Sequence, residues 1–534
     1  MTLNDDQLNV VVARRPIMVV AAPGSGKTAT VVERIRYNIE DLGMKPWRIL
    51  ALTFTNVAAN EIKARSGYEI ESKTIHSWCY KQLAIEGLSA KVAHPLMFKN
   101  FVDAQAMPEY VDRQEISDTI QFVRLGLIKL EDIEQEIRDI VRPIKEKYEY
   151  SLRKRNLIDF TDMLGLMHKK LKDGNYANKM AVKYDEVIVD EAQDLDRVQL
   201  EIIRLLTRNY SNVVFVGDPD QSIYGFLGAM PDMGATAKTY GIPILTLSKT
   251  YRYGEELADM SSFLIKRTTR SVENKVNCTN RKTQIVFSMF NLDTIKRMGY
   301  KEEDVAILNR TNNQAFDAAN KVNADVMRVP ALKIREKIGY TMSMVDYAAT
   351  RDPQTLKRLL LQIKGFGPKT VDQIAKEATS DSINKSFDTG ISKAFGINRK
   401  NLVRALEHVD YDITELRDGY FVPGFTMFMN TPEYFRNVID RFEGEKLDYV
   451  RDVMFNKQLM GVSSITVHAA KGMEFPVVYV HTAGDDIGAS LRDFDEEMRI
   501  SYVAVTRARD LLIVDQSSEL FKNYLAEYLI STRS

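Results

Sequence analysis

"RRPIMVVAAPGSGKTATVVERIRYNI" (Arg14–Ile39) joins an apolar run, a glycine-rich turn and an amphipathic stretch. That order predicts a buried strand, a tight loop and a helix. The same order returns at "WRILALTFTNVAANEIKARS" (Trp47–Ser66) and at "YDEVIVDEAQDLDRVQLEIIRLL" (Tyr184–Leu206). Strands that alternate with helices in this way form parallel sheets, so the sequence predicts an α/β fold.

Two blocks of strand and helix signals are each interrupted by a segment of mainly helical pattern. The chain has 534 residues, too many for one hydrophobic core, so several domains are expected. The predicted boundaries are 1–87 with 158–241 for the first α/β domain and 88–157 for its helical insertion, then 242–320 with 451–534 for the second α/β domain and 321–450 for its insertion.

The composition excludes several classes of protein. Lys+Arg and Asp+Glu are both 73, so any nucleic-acid contact needs a local basic cleft rather than a basic overall field. The two cysteines, Cys79 and Cys278, are far apart in sequence, which argues against a disulfide framework or a zinc module. The sequence has no signal-peptide pattern and no apolar run of membrane-spanning length. We therefore expect a protein that is cytoplasmic or nucleoid-associated, is not secreted and has no membrane partner.

The turn "AAPGSGKT" (Ala21–Thr28) is typical of a phosphate-binding loop. Lys27 would reach the β- and γ-phosphates of a nucleotide, and Thr28 would ligate Mg²⁺. Backbone groups of the loop and of the helix N-terminus would bind phosphate oxygens. The predicted loop residues are Ala22, Pro23, Gly24, Ser25 and Gly26. A chance glycine-rich turn is the alternative, since Ala21 stands where the pattern usually has glycine.

The segment "VIVDEAQD" ends a predicted buried strand with two acids, Asp190 and Glu191. Ligands of α/β sheets bind at the carboxyl ends of strands, which is where both acids lie. Asp190 is predicted to hold Mg²⁺, and Glu191 to act as the general base towards the attacking water. A solvated acidic loop is the alternative, and the preceding phosphate-binding loop disfavours it. Together the two segments predict a nucleoside triphosphatase.

Further segments follow in a fixed order along nearly the whole chain: "LNDDQ", "AAPGSGKT", "TFTNVAANEIKAR", "TIHSW", "DFTDML", "VIVDEAQD", "VGDPDQSIYGF", "LSKTYR", "VAILNRT", "ITVHAAKGMEFPVVYV" and "YVAVTRAR". In these segments the sequence resembles the UvrD/Rep/PcrA-like superfamily 1 DNA helicases. The resemblance implies two RecA-like parallel-sheet motor domains, each interrupted by a mainly helical insertion, and ATP with Mg²⁺ as the nucleotide.

The resemblance also assigns residues around the nucleotide. Gln7 would read the adenine, Arg34 and Tyr251 would sandwich its ring, Gln221 would sense the γ-phosphate, Arg252 and Arg507 would be arginine fingers, and Glu474 would contact the ribose. A guanidinium suits the finger role because it is always charged and forks onto phosphate oxygens.

A second set would touch single-stranded DNA: Phe54, Asn56, His76, Tyr224, Phe226, Arg310 and His468. Stacking of bases on aromatic rings tolerates any sequence, as a translocating motor requires. Taken singly, Phe54 or Tyr224 would more often be a core residue, and His76 or His468 a structural histidine. Their place inside these ordered segments favours the DNA-binding role. Three positions depart from the family pattern: Leu227 follows Phe226 where Trp-Arg is usual, Val57 replaces a lysine and Met498 replaces an arginine.

In the second insertion, "IKGFGPKT" resembles a helix-hairpin-helix. Gly365 and Gly367 would let backbone N–H groups approach a DNA phosphate, and Lys369 would add charge. A packing element or a protein-docking surface is the alternative.

The leading functional interpretation is an ATP-dependent helicase that translocates along single-stranded DNA and unwinds duplexes at single-strand/double-strand junctions. Its 3′-to-5′ polarity is implied by the resemblance alone. The alternatives are an ATPase that strips proteins from DNA, an RNA-directed motor, or a nucleotide-switched subunit of a larger repair or defence complex. An accessory or loading protein is a possible partner.

Overall fold

The computed structural model describes residues 3–93, 97–103, 105, 107–108, 110–225, 233–269, 272–273, 276–311, 314–315, 318, 327–328, 461–481, 491–518 and 520–528. The insertion expected at 321–450 lies almost entirely outside the described residues, as do the candidate DNA contacts Phe226, Gly365, Gly367 and Lys369.

The described strands are, in chain order, β1 Ile17–Ala21, β2 Ile49–Thr53, β3 Glu71–Thr74, β4 Lys91–Val92, β5 Leu157–Ile158, β6 Glu186–Asp190, β7 Val213–Gly217, β8 Ile244–Leu247, β9 Lys249–Thr250, β10 Asn277–Cys278, β11 Gln284–Phe287, β12 Val305–Asn309, β13 Met327–Arg328, β14 Val462–Thr466, β15 Phe475–Val480 and β16 Ala508–Val514.

The described helices are α1 Asp5–Val12, α2 Lys27–Glu40, α3 Asn56–Ser66, α4 Ile75–Ile85, α5 Met97–Asp103, α6 Arg113–Leu125, α7 Gln135–Lys154, α8 Phe160–Leu171, α9 Gly174–Ala181, α10 Arg197–Leu206, α11 Met233–Tyr240, α12 Glu255–Ile265, α13 Leu292–Arg297, α14 Val467–Ala470 and α15 Leu491–Val505. None of these described helices combines the length and the apolar character that a membrane span needs.

The chain divides into two units. The first comprises residues 1–284, 486–506 and 527–534, and the second comprises 285–485 and 507–526. Each unit has one six-stranded sheet at its centre.

The sheet of the first unit has the order β3-β2-β6-β7-β1-β8, and its strand pairs are parallel. Strands β1, β2, β6 and β7 are buried throughout, as expected of strands that helices cover on both faces. Because the strands run in one direction, the loops after β1, β6 and β7 meet at the carboxyl edge of the sheet.

Strand β8 corrects the predicted boundary between the α/β domains. It pairs with β1 in the register Met18↔Ile244 to Ala21↔Leu247, so it belongs to the first sheet and the boundary at 241/242 is wrong. The sequence pattern identified the strand but not its sheet, because only partner and register distinguish an edge strand of one sheet from the first strand of the next.

The first insertion is helical in α5, α6 and α7, with a small core that includes Ile116, Ile120 and Val141. Its two ends pair as the short strands β4 and β5. The buried Arg124 side chain of α6 donates to Asp159 (2.7 and 3.0 Å) and to Asp162 (2.9 Å), which ties the insertion to the start of α8.

The sheet of the second unit has the order β11-β16-β15-β12-β14-β13. Strand β12 pairs in parallel with β14 and β15, and β15 pairs in parallel with β16. Its central strands are fully buried, so the two parallel sheets of the predicted fold class are both present.

Candidate nucleotide site

The phosphate-type loop lies between β1 and α2, at the carboxyl edge of the first sheet. Gly24 and Gly26 have φ values of +73° and +81°, a region that favours glycine. An added Cβ at Gly24 would lie 2.5 Å from Cβ of Arg252, and one at Gly26 would lie 2.7 Å from Nε2 of Gln7. The loop therefore has close neighbours on two sides that leave no space for larger residues.

Lys27 and Glu191 form an ion pair at the mouth of this loop. Nζ of Lys27 lies 3.2 Å from both carboxylate oxygens of Glu191. Burial lowers the pKa of Lys27, but the carboxylates of Glu191, Asp190 and Asp218 outweigh that effect and raise it, so the lysine is charged. Glu191 has φ +54°, and this left-handed turn directly follows β6. The lysine is thus held opposite the acidic pair.

Asp190 and Ser25 each present a buried oxygen to this site. Oδ1 of Asp190 and Oγ of Ser25 have no hydrogen-bond partner among the described residues. Burial first, and then the Glu191 carboxylate, raise the pKa of Asp190 to about 7. A buried carboxylate oxygen without a donor is costly unless a cation or a donor is supplied. Oxygen ligands of this kind, with the hydroxyl of Thr28 nearby in sequence, suit Mg²⁺ and the phosphates of a nucleotide.

Helix α1 and the segment after β9 close the site from the other side. Asn4 and Gln7 form a capping box at the start of α1, and Nε2 of Gln7 donates to the carbonyl oxygen of Ser25 (3.0 Å). The N–H of Tyr251 donates to the carbonyl of Gly24 (2.9 Å), and its hydroxyl accepts from Asn4 (2.9 Å). The structure thus brings two predicted adenine residues, Gln7 and Tyr251, to the loop.

Arg34 does not lie with them, and its predicted place against the adenine ring is wrong. Its side chain is 2 % exposed and donates to both oxygens of Glu186, at 2.9 and 2.8 Å. Nη1 donates to carbonyl oxygens at the end of α1, including those of Val10 (2.7 Å) and Ala13 (2.9 Å). Arg34 falls on the buried stripe of α2 together with Val31 and Ile35, which directs it into the core.

Gln221 and Arg252 lie within the first unit. Gln221 is buried in a one-turn 3₁₀ helix after β7 and donates to Oδ2 of Asp218 (2.5 Å). Arg252 donates to the carbonyl oxygen of Thr506 (3.0 Å). Gln221 lies at the carboxyl edge of the sheet because it follows β7. Arg252 lies beside the phosphate-type loop, where it is a close neighbour of Gly24.

Aromatic side chains lie at the carboxyl edge next to the nucleotide residues. Phe54, after β2, is 38 % exposed and stacks on Tyr224, with ring centroids 4.8 Å apart. His76, after β3, meets the edge of Phe160, which is 47 % exposed. Burial lowers the pKa of His76 to about 4, so its ring is neutral at physiological pH. Asn56 is exposed at the start of α3.

In the second unit, the candidate residues lie at two opposite edges of the sheet. Arg310 directly follows β12 and His468 is the second residue after β14; these strands pair as Asn309↔Thr466, so both residues lie at the carboxyl edge of that sheet. Glu474 and Arg507 directly precede β15 and β16, which pair as Phe475↔Ala508, at the opposite edge. The buried Arg507 donates to the carbonyl oxygen of Met473 (3.2 Å).

Two residues near the site received no role from the sequence. Phe160 stands in the quoted segment "DFTDML", and its exposure could not be read from a pattern. Gln193 stands in "VIVDEAQD", two residues after Glu191, and the polar residue so close to a buried strand was a usable signal. Its amide donates to Glu191 (2.6 Å).

A glycine-rich loop after one buried strand and an acidic pair after another define the class of P-loop nucleotide hydrolases. Residues 3–239 match the UvrD/REP helicase N-terminal domain, and residues 429–519 match the UvrD-like helicase C-terminal domain. These matches cover more than half of the chain, which belongs to the UvrD-like helicase family and is an enzyme of that family.

Curated relatives agree with this assignment. The chain is 28 % identical to a probable DNA helicase II homolog of Mycoplasma capricolum, over 96 % of this chain and 84 % of the relative. It is 25 % identical to the ATP-dependent DNA helicase PcrA of Staphylococcus epidermidis, over 97 % of this chain and 83 % of the relative. It is 24 % identical to the PcrA of Staphylococcus aureus, over 94 % and 81 %. The family predicted from the ordered segments is confirmed.

Proposed function

We propose that this chain is an ATP-driven motor that moves 3′-to-5′ along single-stranded DNA and unwinds duplexes at single-strand/double-strand junctions. The proposal extends the family assignment, since the named relatives are DNA helicases. One observation carries it: the carboxyl edge of the first sheet holds the acidic pair and the phosphate-type loop after β6 and β1, and the stacked rings after β2 and β7.

In the proposed mechanism, Lys27 binds the β- and γ-phosphates and Glu191 accepts a proton from the attacking water. Thr28 and Asp190 would hold Mg²⁺, which neutralises phosphate charge when bound. The ion pair with Glu191 holds Lys27 close to the phosphate loop, at 3.2 Å from the carboxylate. The nucleotide phosphates would then compete with Glu191 for the lysine.

Gln221 and Arg252 are proposed to act on the γ-phosphate, and Gln7 and Tyr251 on the adenine. Their support is their position around the loop, as in the bond from Gln7 to Ser25. For Arg507 and Glu474 the proposal rests on the resemblance alone.

Arg252→Ala and Arg507→Ala should each lower kcat of the ATPase more than they raise KM, because a finger acts on charge that develops in the transition state.

Single-stranded DNA is proposed to run over Phe54, Tyr224 and His76 in the first unit. Asn56 lies at the same edge, and Arg310 and His468 are the proposed contacts in the second unit. The exposed face of Phe54 is available for a base, while Tyr224 supports it from the other side.

A strand-displacement assay tests the function directly. Duplexes with a 3′ tail, a 5′ tail or an RNA tail are mixed with the protein, ATP and Mg²⁺, and Glu191→Gln serves as the inactive control. We expect unwinding of the 3′-tailed DNA only. Unwinding from the 5′ tail would overturn the polarity, and DNA-stimulated ATPase without unwinding of any duplex would favour the protein-stripping alternative.

A further inference from the structure

Gln193 links the acidic pair to the loop that follows the neighbouring strand. It lies in a one-turn 3₁₀ helix, Ala192–Asp194, directly after Glu191, and its side chain is fully buried (0 % exposed). Its Nε2 donates to Oε2 of Glu191 (2.6 Å), a short bond to a charged acceptor. Gln193 therefore shares the Glu191 carboxylate with Lys27, whose Nζ lies 3.2 Å from both of its oxygens.

The other end of the same amide is bonded to the loop after β7. Oε1 of Gln193 accepts from the N–H of Asp218 (3.0 Å), and its backbone carbonyl accepts from the hydroxyl of Ser222 (3.0 Å). Two residues after Ser222 the loop reaches Tyr224, whose ring stacks on Phe54. A continuous set of contacts therefore runs from the stacked rings to the carboxylate of Glu191.

The chemistry of this position requires an amide. A glutamine side chain carries a donor for the carboxylate and an acceptor for the backbone N–H. Glutamate would keep the acceptor but would lose the donor and add a like charge beside Glu191. Methionine would fill the volume and make neither bond. The space is also closed, since an added Cβ at Gly217 would collide with Oε1 of Gln193.

We propose that Gln193 is a positioning residue that couples strand binding to ATP hydrolysis. It holds the Glu191 carboxylate in place relative to residues 218–224, so that a change at the Phe54–Tyr224 stack moves the general base. When nucleotide phosphates engage Lys27, the bond from Gln193 remains to orient Glu191. This inference rests on the proposed function, in which Glu191 is the base and the rings bind DNA.

The experiment measures steady-state ATPase with and without an oligothymidine strand in Gln193→Met, Gln193→Glu and Ser222→Ala. Gln193→Met removes both bonds of the amide. Its kcat should fall about ten- to a hundredfold, as expected for loss of a hydrogen bond to a charged group, with KM for ATP changed less than about twofold. The stimulation by the strand should fall close to one, while the Kd for the strand stays within about twofold, because the rings are untouched.

The other two variants separate the two ends of the link. Gln193→Glu retains the acceptor for Asp218, so its kcat should fall while the stimulation ratio is better preserved than in Gln193→Met. Ser222→Ala weakens the loop end, so its stimulation ratio should fall more than its rate without DNA. Gln82→Met is the matched control, because Gln82 is an equally buried glutamine (3 % exposed) whose oxygen accepts from Lys183 (3.1 Å).

Three results would overturn the proposal. One is a Gln193→Met protein with kcat and stimulation within twofold of the unmodified chain. Another is joint loss of melting temperature, ATP affinity and DNA affinity in both Gln193 variants, which would mean a purely structural role. The third is an equal effect of Gln82→Met. Failure of the proposed function would show in a different variant, as normal ATPase turnover in Glu191→Gln. The Gln193 variants do not decide whether Glu191 is the base, so the two failures can be told apart.

Discussion

Strand β6 has an acidic residue at each end, and the surroundings of the two differ in kind. At the amino end, Glu186 is 0 % exposed and accepts from Arg15 (3.2 Å), from Arg34 (2.9 and 2.8 Å) and from Asn38 (2.8 Å). At the carboxyl end, Asp190 is also buried, yet its Oδ1 has no partner among the described residues. The fully bonded carboxylate and the one that is not are thus the first and last residues of one five-residue strand.

This difference in hydrogen-bond partners distinguishes a structural carboxylate from one that can bind a ligand. A buried charge with every oxygen bonded to the protein leaves nothing for a ligand, and it fixes the elements that supply the donors. A buried carboxylate with an unbonded oxygen is stable in a folded chain chiefly where a ligand completes it. Burial alone therefore does not identify a functional acid, and the hydrogen-bond partners decide.

The largest effect should come from the carboxyl end. Glu191→Gln removes the proposed base while keeping its size and one acceptor oxygen, so the ATPase kcat should fall about 10²–10⁴-fold. Binding of ATP and of single-stranded DNA should persist, measured by fluorescence titration. Turnover close to normal would remove Glu191 from the catalytic role and with it the functional reading of this end of β6.

At the amino end we expect a loss of stability. Glu186→Gln leaves the buried guanidinium of Arg34 without its counter-charge, which should cost about 3–5 kcal/mol of unfolding free energy. Denaturant unfolding measures it. In the remaining folded protein, kcat should change far less than in Glu191→Gln. A selective loss of kcat without a loss of stability would mean that both ends of the strand serve the chemistry.

The next effect tests the same contrast along β2. Phe54 follows that strand at the carboxyl edge, and the 65 % exposed Trp47 precedes it at the other edge. Phe54→Ala should weaken single-strand binding by about 1–3 kcal/mol, as base stacking on a ring does elsewhere. Trp47→Ala should leave that affinity unchanged, by fluorescence anisotropy of a labelled oligonucleotide. Equal effects would separate DNA binding from the carboxyl edge.

The smallest effect should come from the residue beside Glu186. Asp185 accepts from Arg48 through two bonds (2.6 and 2.5 Å), but both side chains are more than a third exposed. Surface ion pairs of this kind contribute little because water screens them. Asp185→Asn should leave the melting temperature within experimental error of the unmodified chain. A loss as large as that of Glu186→Gln would mean that burial is not what makes the Arg34 pair matter.

The sequence predicted well where chemistry is local. The loop at Lys27 and the acids at Asp190 and Glu191 each stand at the end of an apolar run, so their edge of the sheet followed from strand direction alone. Prediction from the sequence failed at Arg34, whose partner Glu186 is 152 residues away along the chain. Helical spacing gave the better clue there, since Arg34 shares the buried face of α2 with Val31 and Ile35. Strand β8 was assigned to the wrong domain for a related reason: its pairing with β1 is not local.

Gly217 has a consequence for how freely this chain can vary. Any side chain at that position would displace the amide of Gln193, so the two sites are not independent targets for substitution. In a library that randomises both positions and selects for DNA-stimulated turnover, we expect glycine at 217 to be retained wherever glutamine is retained at 193. Survivors with an alanine at 217 should carry a shorter residue at 193 and a turnover that no longer responds to DNA. The tolerance of the site to mutation would then be a property of the pair.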